Sequence, residues 1–191
     1  AKGELGLDAG VSAQFGRLHR FSSGFGISML AEIGYSRDTF ANSVDASSLG
    51  LTGGGRASFS YRFDSLQIGL LPKFNFGKFA IGIGGGVKIP IAGYQLLTTT
   101  YAGNNHATSK TAKSQTEIVL KRKDITDMFS SSVIGYMKVT FDYYLFFTDN
   151  IAMSSGLYLG VDFGPKYKDS KASINSFDIG LQLGFRFGPK A

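Results

Sequence analysis

Bulky apolar side chains alternate with small, polar or charged ones along most of this chain. In the first segment Leu5, Leu7, Ala9, Val11, Ala13 and Phe15 interleave with Glu4, Gly6, Asp8, Gly10, Ser12 and Gln14. A period of two places successive side chains on opposite faces of an extended strand. Eight such segments are predicted, over residues 4–16, 24–36, 48–63, 66–76, 79–91, 132–147, 151–163 and 176–187. Most exceed the roughly five to six residues usual in soluble strands and match the roughly nine to eleven of a tilted membrane strand. The large apolar phase is too bulky for a small interior, while the other phase holds Gly, Ser and charge. The predicted fold is therefore all-β: a transmembrane up-and-down antiparallel β-barrel of about eight strands, with lipid-facing flanks and a polar lumen.

The charges test this phase independently of the apolar residues. Glu4, Asp8, Glu32, Asp142, Asp162 and Asp178, against Arg56, Arg62, Lys73, Lys88, Lys138 and Arg186, all fall on the inward face. An eight-stranded barrel is narrow enough for side chains to fill it, and ions buried there must pair. The expected lumen is a salt-bridge plug, with Arg186 on the last strand approaching Glu4 or Asp8 on the first. Six acids against six bases leave the net charge of +6 in the connections.

With both termini on the periplasmic side, the outer loops fall near 17–23, 64–65, 92–131 and 164–175. The connection at 37–47 is long for a periplasmic turn, and the Asp64-Ser65 turn is tight. Basic residues gather in the outer set at Lys110, Lys113, Lys121, Arg122, Lys123, Lys166, Lys168 and Lys171. They are candidate contacts for phosphates or other polyanions. No aromatic stacking platform accompanies them, so nucleic acid is not expected as a partner. Within 92–131, the stretches at Tyr94–Leu97 and Glu117–Leu120 have the composition of a protruding hairpin. Ile125, Met128 and Phe129 following Asp124 suggest a short helix with Asp124 as N-cap.

Composition narrows the classes. At 191 residues the chain fits one domain, residues 1–191. Its mean hydropathy of +0.03 is too low for a helical membrane bundle, and no run reaches the roughly 18 to 20 apolar residues of a spanning helix. Alternating strands escape such averages because half of each is polar. With Trp absent and Phe at 17, any aromatic girdle is built from Phe and Tyr. The absence of Cys excludes disulfides, thiolate nucleophiles and Cys-based metal sites. No hydrophobic leader follows Ala1-Lys2-Gly3, which is read as an exported chain with its signal peptide removed.

The final segment, Phe177-Asp178-Ile179-Gly180-Leu181-Gln182-Leu183-Gly184-Phe185-Arg186-Phe187, is alternating and aromatic-ended. In this it resembles the C-terminal strand of the small outer-membrane barrels of the OmpX, OmpW and OmpA transmembrane-domain type. It departs from them in carrying Gly188-Pro189-Lys190-Ala191 after the terminal aromatic. The resemblance covers the whole chain at the level of architecture. It implies a monomer in the bacterial outer membrane, with outer-membrane lipid and lipopolysaccharide as neighbours and the barrel-assembly machinery as a partner during biogenesis. The function it implies is envelope integrity or contact with host and environmental molecules through the outer loops. Its alternatives are transport of small or apolar compounds, the 125–129 helix lining an OmpW-like entry, and lipid A modification.

Catalytic signals are sparse. His19 in the first loop and Asp64-Ser65 in the second could supply a base, an orienter and a hydroxyl, in the manner of a lipid A palmitoyltransferase. The helix that precedes that enzyme's barrel and its tryptophans are missing. His106 lies in Asn104-Asn105-His106-Ala107-Thr108, which lacks the His-x-Ser of the lipid A deacylase. Gly82, Gly84, Gly85 and Gly86 lie inside a strand with no Gly-Lys-Ser/Thr following, so they read as room for long lumen side chains such as Arg56 or Lys138 rather than a phosphate loop. No cofactor, metal site or catalytic residue is assigned.

Overall fold

A computed structural model describes residues 2–4, 8–22, 24–45, 55–101, 112–168 and 173–189. The protein is all-β, and every ladder in it is antiparallel. Its strands are β1 (Lys2–Glu4), β2 (Ala9–Ser22), β3 (Phe25–Asp45), β4 (Gly55–Leu70), β5 (Lys73–Phe76), β6 (Phe79–Tyr101), β7 (Ala112–Lys121), β8 (Phe129–Ser131), β9 (Ile134–Thr148), β10 (Ile151–Tyr167) and β11 (Ser173–Phe187). One helix, α1 (Arg122–Met128), interrupts them; no helix among the described residues is long and apolar enough to cross a membrane.

These segments form one continuous sheet of seven passes rather than eight. In order across the sheet they are β1 with β2, β3, β4 with β5, β6, β9, β10 and β11. The expected turn at Asp64-Ser65 does not exist. β4 runs straight through it, pairing Asp64 with Arg37 on one side and with Ala92 on the other. Opposite it, β6 carries a bulge, since Ser65 pairs with Pro90 and leaves Ile91 as the extra residue.

One end of the sheet is closed by short turns and the other is extended. At the turn end Gly24 (φ 86°) and Gly77 (φ 58°) take the left-handed conformation that two tight connections require, and the Gly77 N–H donates to the Gly24 carbonyl at 2.7 Å. At the extended end β3 and β4 pair up to Asp45–Arg56. There β6 and β7 make the protruding hairpin, from Ala92–Lys121 to Tyr101–Ala112. Residues 17–22 belong to β2 and run into the turn end, so they do not share a side with 92–131. Of the long 37–47 stretch, residues 37–45 continue β3 into the extended end. The termini also separate: Lys2 pairs with Ser43 at the extended end, and Phe187 with Ile151 at the turn end.

The outer face carries the apolar phase. Leu66, Ile68 and Leu70 on β4 continue into Phe74 and Phe76 on β5, and Ile81, Ile83, Phe141, Leu145, Leu157 and Leu183 are exposed on other strands. Leu66 to Phe76 covers the length of about 11 residues that a tilted strand needs to cross hydrocarbon. Asp142 and Asp162, by contrast, are 3 % and 2 % exposed.

At the extended end the interior is apolar instead. Phe40, Tyr61, Phe63, Leu120, Ile125, Phe129, Ile134 and Ile174 form a single buried cluster. Phe40 on β3 and Ile174 on β11 meet there, so the sheet is curled far enough for its second and last passes to share a core. Tyr61 and Phe63 thus point inward where the apolar phase predicted outward, and Arg62 between them is exposed on the outer face.

The glycines of β6 set how closely the sheet packs on itself. A Cβ on Gly86 would stand 2.1 Å from the Ile68 carbonyl oxygen, and one on Gly84 2.4 Å from that of Leu70. Around Gly82 the nearest side chains are Leu71, Lys73 and Thr140 rather than Lys138, and the Arg56 side chain falls outside the described residues. Gly86→Val is expected to destabilise the folded protein by about 1–3 kcal/mol. Gly135→Ala, whose Cβ would meet Phe163 at an ordinary 3.8 Å, should stay within about 0.5 kcal/mol. Denaturant unfolding in detergent, followed by tyrosine fluorescence because the chain has no Trp, measures both.

Candidate functional site: a paired-charge interior and a basic rim

Period-two alternation aims every second residue of the curled sheet inward, and below the apolar cluster these include ions among neutral polar residues and a small cluster of Ala80, Tyr144 and Ala152. The ions pair in layers. Nearest the cluster, Lys88 Nζ on β6 donates to Asp38 on β3 at 2.7 Å and to Asp162 on β10 at 2.6 Å. All three side chains are buried. The next layer joins Lys138 on β9 to Glu32 on β3 at 2.7 Å. The Glu32 carboxylate also accepts from Ser12 Oγ (2.9 Å), Gln14 Nε2 (3.2 Å) and Tyr136 Oη (3.1 Å). Below it Lys73 on β5 donates to Asp142 on β9 at 2.9 Å, and Gln182 on β11 donates to the same carboxylate.

Arg186 completes the turn end. Its guanidinium stacks over Tyr144, 4.7 Å from the ring centre, and donates to Asn75 Oδ1 at 3.3 Å. It does not approach Asp8, which lies toward the opposite end and accepts from the Thr39 backbone N–H at 2.6 Å. β2 runs from Ala9 at the extended end to Ser22 at the turn end, so the expected pairing would require it reversed. Asp178 faces the interior beside Asp8.

Of the twelve expected lumen charges, Glu32, Lys73, Lys88, Lys138, Asp142 and Asp162 are brought together in ion pairs. Arg62 lies outside, and the side chains of Glu4 and Arg56 fall outside the described residues. Asp38 was missed. It follows Arg37 in a stretch read as a connection, and its signal was its even number: Glu32, Ser36 and Asp38 share one inward face of β3.

Two further polar groups mark the rim. On the outer face of β3 and β4, Asp64 accepts from Arg37 Nε at 2.6 Å and from Tyr35 Oη at 2.5 Å. His19, paired with Ile27 near the turn end, stands about 30 Å along β3 from this level. His19, Asp64 and Ser65 therefore form no joint site, and Ser65 itself is fully buried. At the extended end Lys121, Arg122, Lys123, Lys166 and Lys168 are exposed. Lys110 and Lys171, the Lys113 side chain and His106 lie outside the described residues.

The helix overlaps the expected 125–129 segment but starts at Arg122 with Lys121 as N-cap, and Phe129 already belongs to β8. Asp124 sits three residues on and accepts from the Lys121 N–H at 2.8 Å. Ile125 and Phe129 are buried in the apolar cluster, so this face of the segment fills the interior rather than lining an opening. No group of three or more metal-ligating side chains occurs among the described residues.

A cavity of about 590 Å³ runs from the gap between β2 and β11 into the interior, bordered by Asp8, Ser12 and Gln182 at the gap and by the ion-paired Lys73, Lys88 and Lys138 within. A second, of about 370 Å³, continues it toward the turn end between Gly16 and Arg186. Comparison with protein-family models, curated proteins and solved structures returns no match.

Removing Lys88 leaves two carboxylates facing each other without a counter-ion. Lys88→Met is expected to destabilise by about 3–5 kcal/mol. Adding Asp38→Asn and Asp162→Asn to that variant should recover most of the loss, because the uncompensated charge is then gone. Unfolding midpoints of the single and triple variants decide the point; equal losses in both would assign the effect to packing alone.

Proposed function

We propose that this chain is an integral β-barrel wall of the bacterial outer membrane, with a plugged interior and a basic surface for contact with anionic partners. The observation that carries the reading is the polarity of the sheet over residues 66–76 and the strands beside them. Large apolar side chains face outward, and paired ions and amides face inward. A water-soluble sheet gains its stability from the opposite arrangement. A spanning wall must satisfy its backbone within the sheet and turn its apolar face to acyl chains.

The interior supports a structural rather than a conducting role. Three ion-paired layers cross the lumen, and the apolar cluster lies above them. The extended end, with the β6–β7 hairpin, α1 and the cations at Lys121, Arg122, Lys123, Lys166 and Lys168, is the end assigned to the outside. Phosphates of lipopolysaccharide or other surface polyanions fit that charge. The function proposed is envelope integrity and contact with environmental or host molecules, with no catalytic step.

Two measurements bear on this reading. Folded in detergent, the protein should migrate differently on a gel before and after boiling. It should also be silent in planar bilayers; steady channel openings would overturn the plug. Ile83→Arg gives a sharper test. Ile83 is 52 % exposed, so in a water-soluble protein the change stays within about 0.5 kcal/mol. At a lipid-facing position near mid-membrane it should destabilise by about 2–4 kcal/mol in bilayers.

A further inference from the structure

The two outermost passes of the sheet run in the same direction. β2 and β11 belong to the first and last of seven antiparallel passes, so both descend from the extended end to the turn end. Closing the sheet by pairing them with each other would need a parallel ladder, the arrangement that spanning walls of this kind do not use. Among the described residues β2 pairs only with β3, and β11 only with β10. The cavities of about 590 and 370 Å³ open onto this seam.

We propose that the seam between β2 and β11 is a receptor for one further extended strand, contributed by polypeptide outside residues 1–191 and antiparallel to both edges. This rests on the membrane reading, because only in lipid does an open edge leave backbone groups with nothing to bond. One strand suffices: reversing direction once restores antiparallel pairing on both sides.

Two observations fix its chemistry. The outward side chains along the seam are more exposed than those on interior strands. Val11, Ile179, Leu181 and Leu183 are 71 %, 71 %, 80 % and 81 % exposed, against 44 % for Ile68 and Phe141. A flanking row of apolar side chains is what each of them lacks. Inside, among the described residues, Asp8, Glu32, Asp38, Asp142, Asp162 and Asp178 face Lys73, Lys88, Lys138 and Arg186. Asp8 and Asp178 are the carboxylates without a cation among the described residues, and both border the larger cavity. The incoming strand therefore alternates apolar residues toward lipid with small polar residues toward the lumen, and carries a Lys or Arg level with Asp8 and Asp178.

A second copy of this chain does not meet the requirement. Two copies inserted in the same orientation bring β2 of one beside β11 of the other running the same way, which is again parallel.

The test uses the folded 191-residue chain in lipid nanodiscs and a synthetic peptide about 11 residues long. The peptide alternates Leu and Val with Ser and Thr, and carries one lumen-facing Lys; a control peptide has Glu in its place. The Lys peptide should bind saturably and slow backbone amide exchange on both edges, at Val11 to Phe15 and at Ile179 to Leu183. The Glu peptide should bind at least about tenfold more weakly, and Asp8→Asn with Asp178→Asn should narrow that gap. Protection of both edges without peptide, in a monomer or a dimer, overturns the proposal, as does protection of only one edge with peptide. Lack of saturable binding, or equal binding of the two peptides, overturns it as well. Failure to enter nanodiscs at all would instead remove the membrane reading beneath it.

Discussion

Lys88 holds the curl of this sheet. One ammonium on β6 contacts a carboxylate on β3 and another on β10, passes that lie far apart in the flat order of the sheet. A buried cation must have counter-ions within reach, and the two it has sit on opposite walls. A flat sheet cannot satisfy it. Glu32 with Lys138 repeats the demand one layer lower. Each pair is weak evidence for stability, since desolvation offsets much of the attraction. Their role is specificity: they fix which strands face each other across the interior.

Much of the fold can be read directly from the sequence because its signals are local. Alternation identifies strands, and its break between the segments 66–76 and 79–91 falls on a turn. The largest error came from assuming that apolar means outward everywhere. On β4 the odd-numbered positions face inward on both sides of Asp64, as Tyr61, Phe63, Ser65 and Gln67 do. The interior they enter changes from apolar to polar on the way down. A reader who holds the interior polar must switch phase between Phe63 and Leu66, and Asp64-Ser65 has the composition of a turn. The same assumption put Arg62 inside and left Asp38 out. Nothing local reports it, because the nature of the interior at each level is set by strands distant in sequence.

That change of interior has a physical counterpart on the outside. Along β3 and β4 the exposed apolar row ends at Tyr35 and Leu66, and Arg37, Asp64 and Arg62 follow. Close to that level inside, the ionic layer of Lys88 gives way to Phe63, Phe129 and Ile134. Below the boundary the wall is apolar outside and ionic inside; above it β3 and β4 are charged outside and the enclosed space is apolar.

On β3 and β4 two opposite polarities are therefore stacked along the strand axis. Each is the stable choice in a different solvent. A section surrounded by hydrocarbon gains nothing from an apolar interior and can afford ions there if they pair. A section surrounded by water needs an apolar core, because burial of such surface is what holds it together. On the membrane reading proposed above, the inversion at Arg37 and Asp64 marks the lipid–water interface, and the extended end stands in water above the spanning wall. Helix α1, whose Ile125 is buried in the apolar cluster, belongs to that upper end. A fully soluble protein has no reason to invert, and neither has a sheet embedded along its whole length.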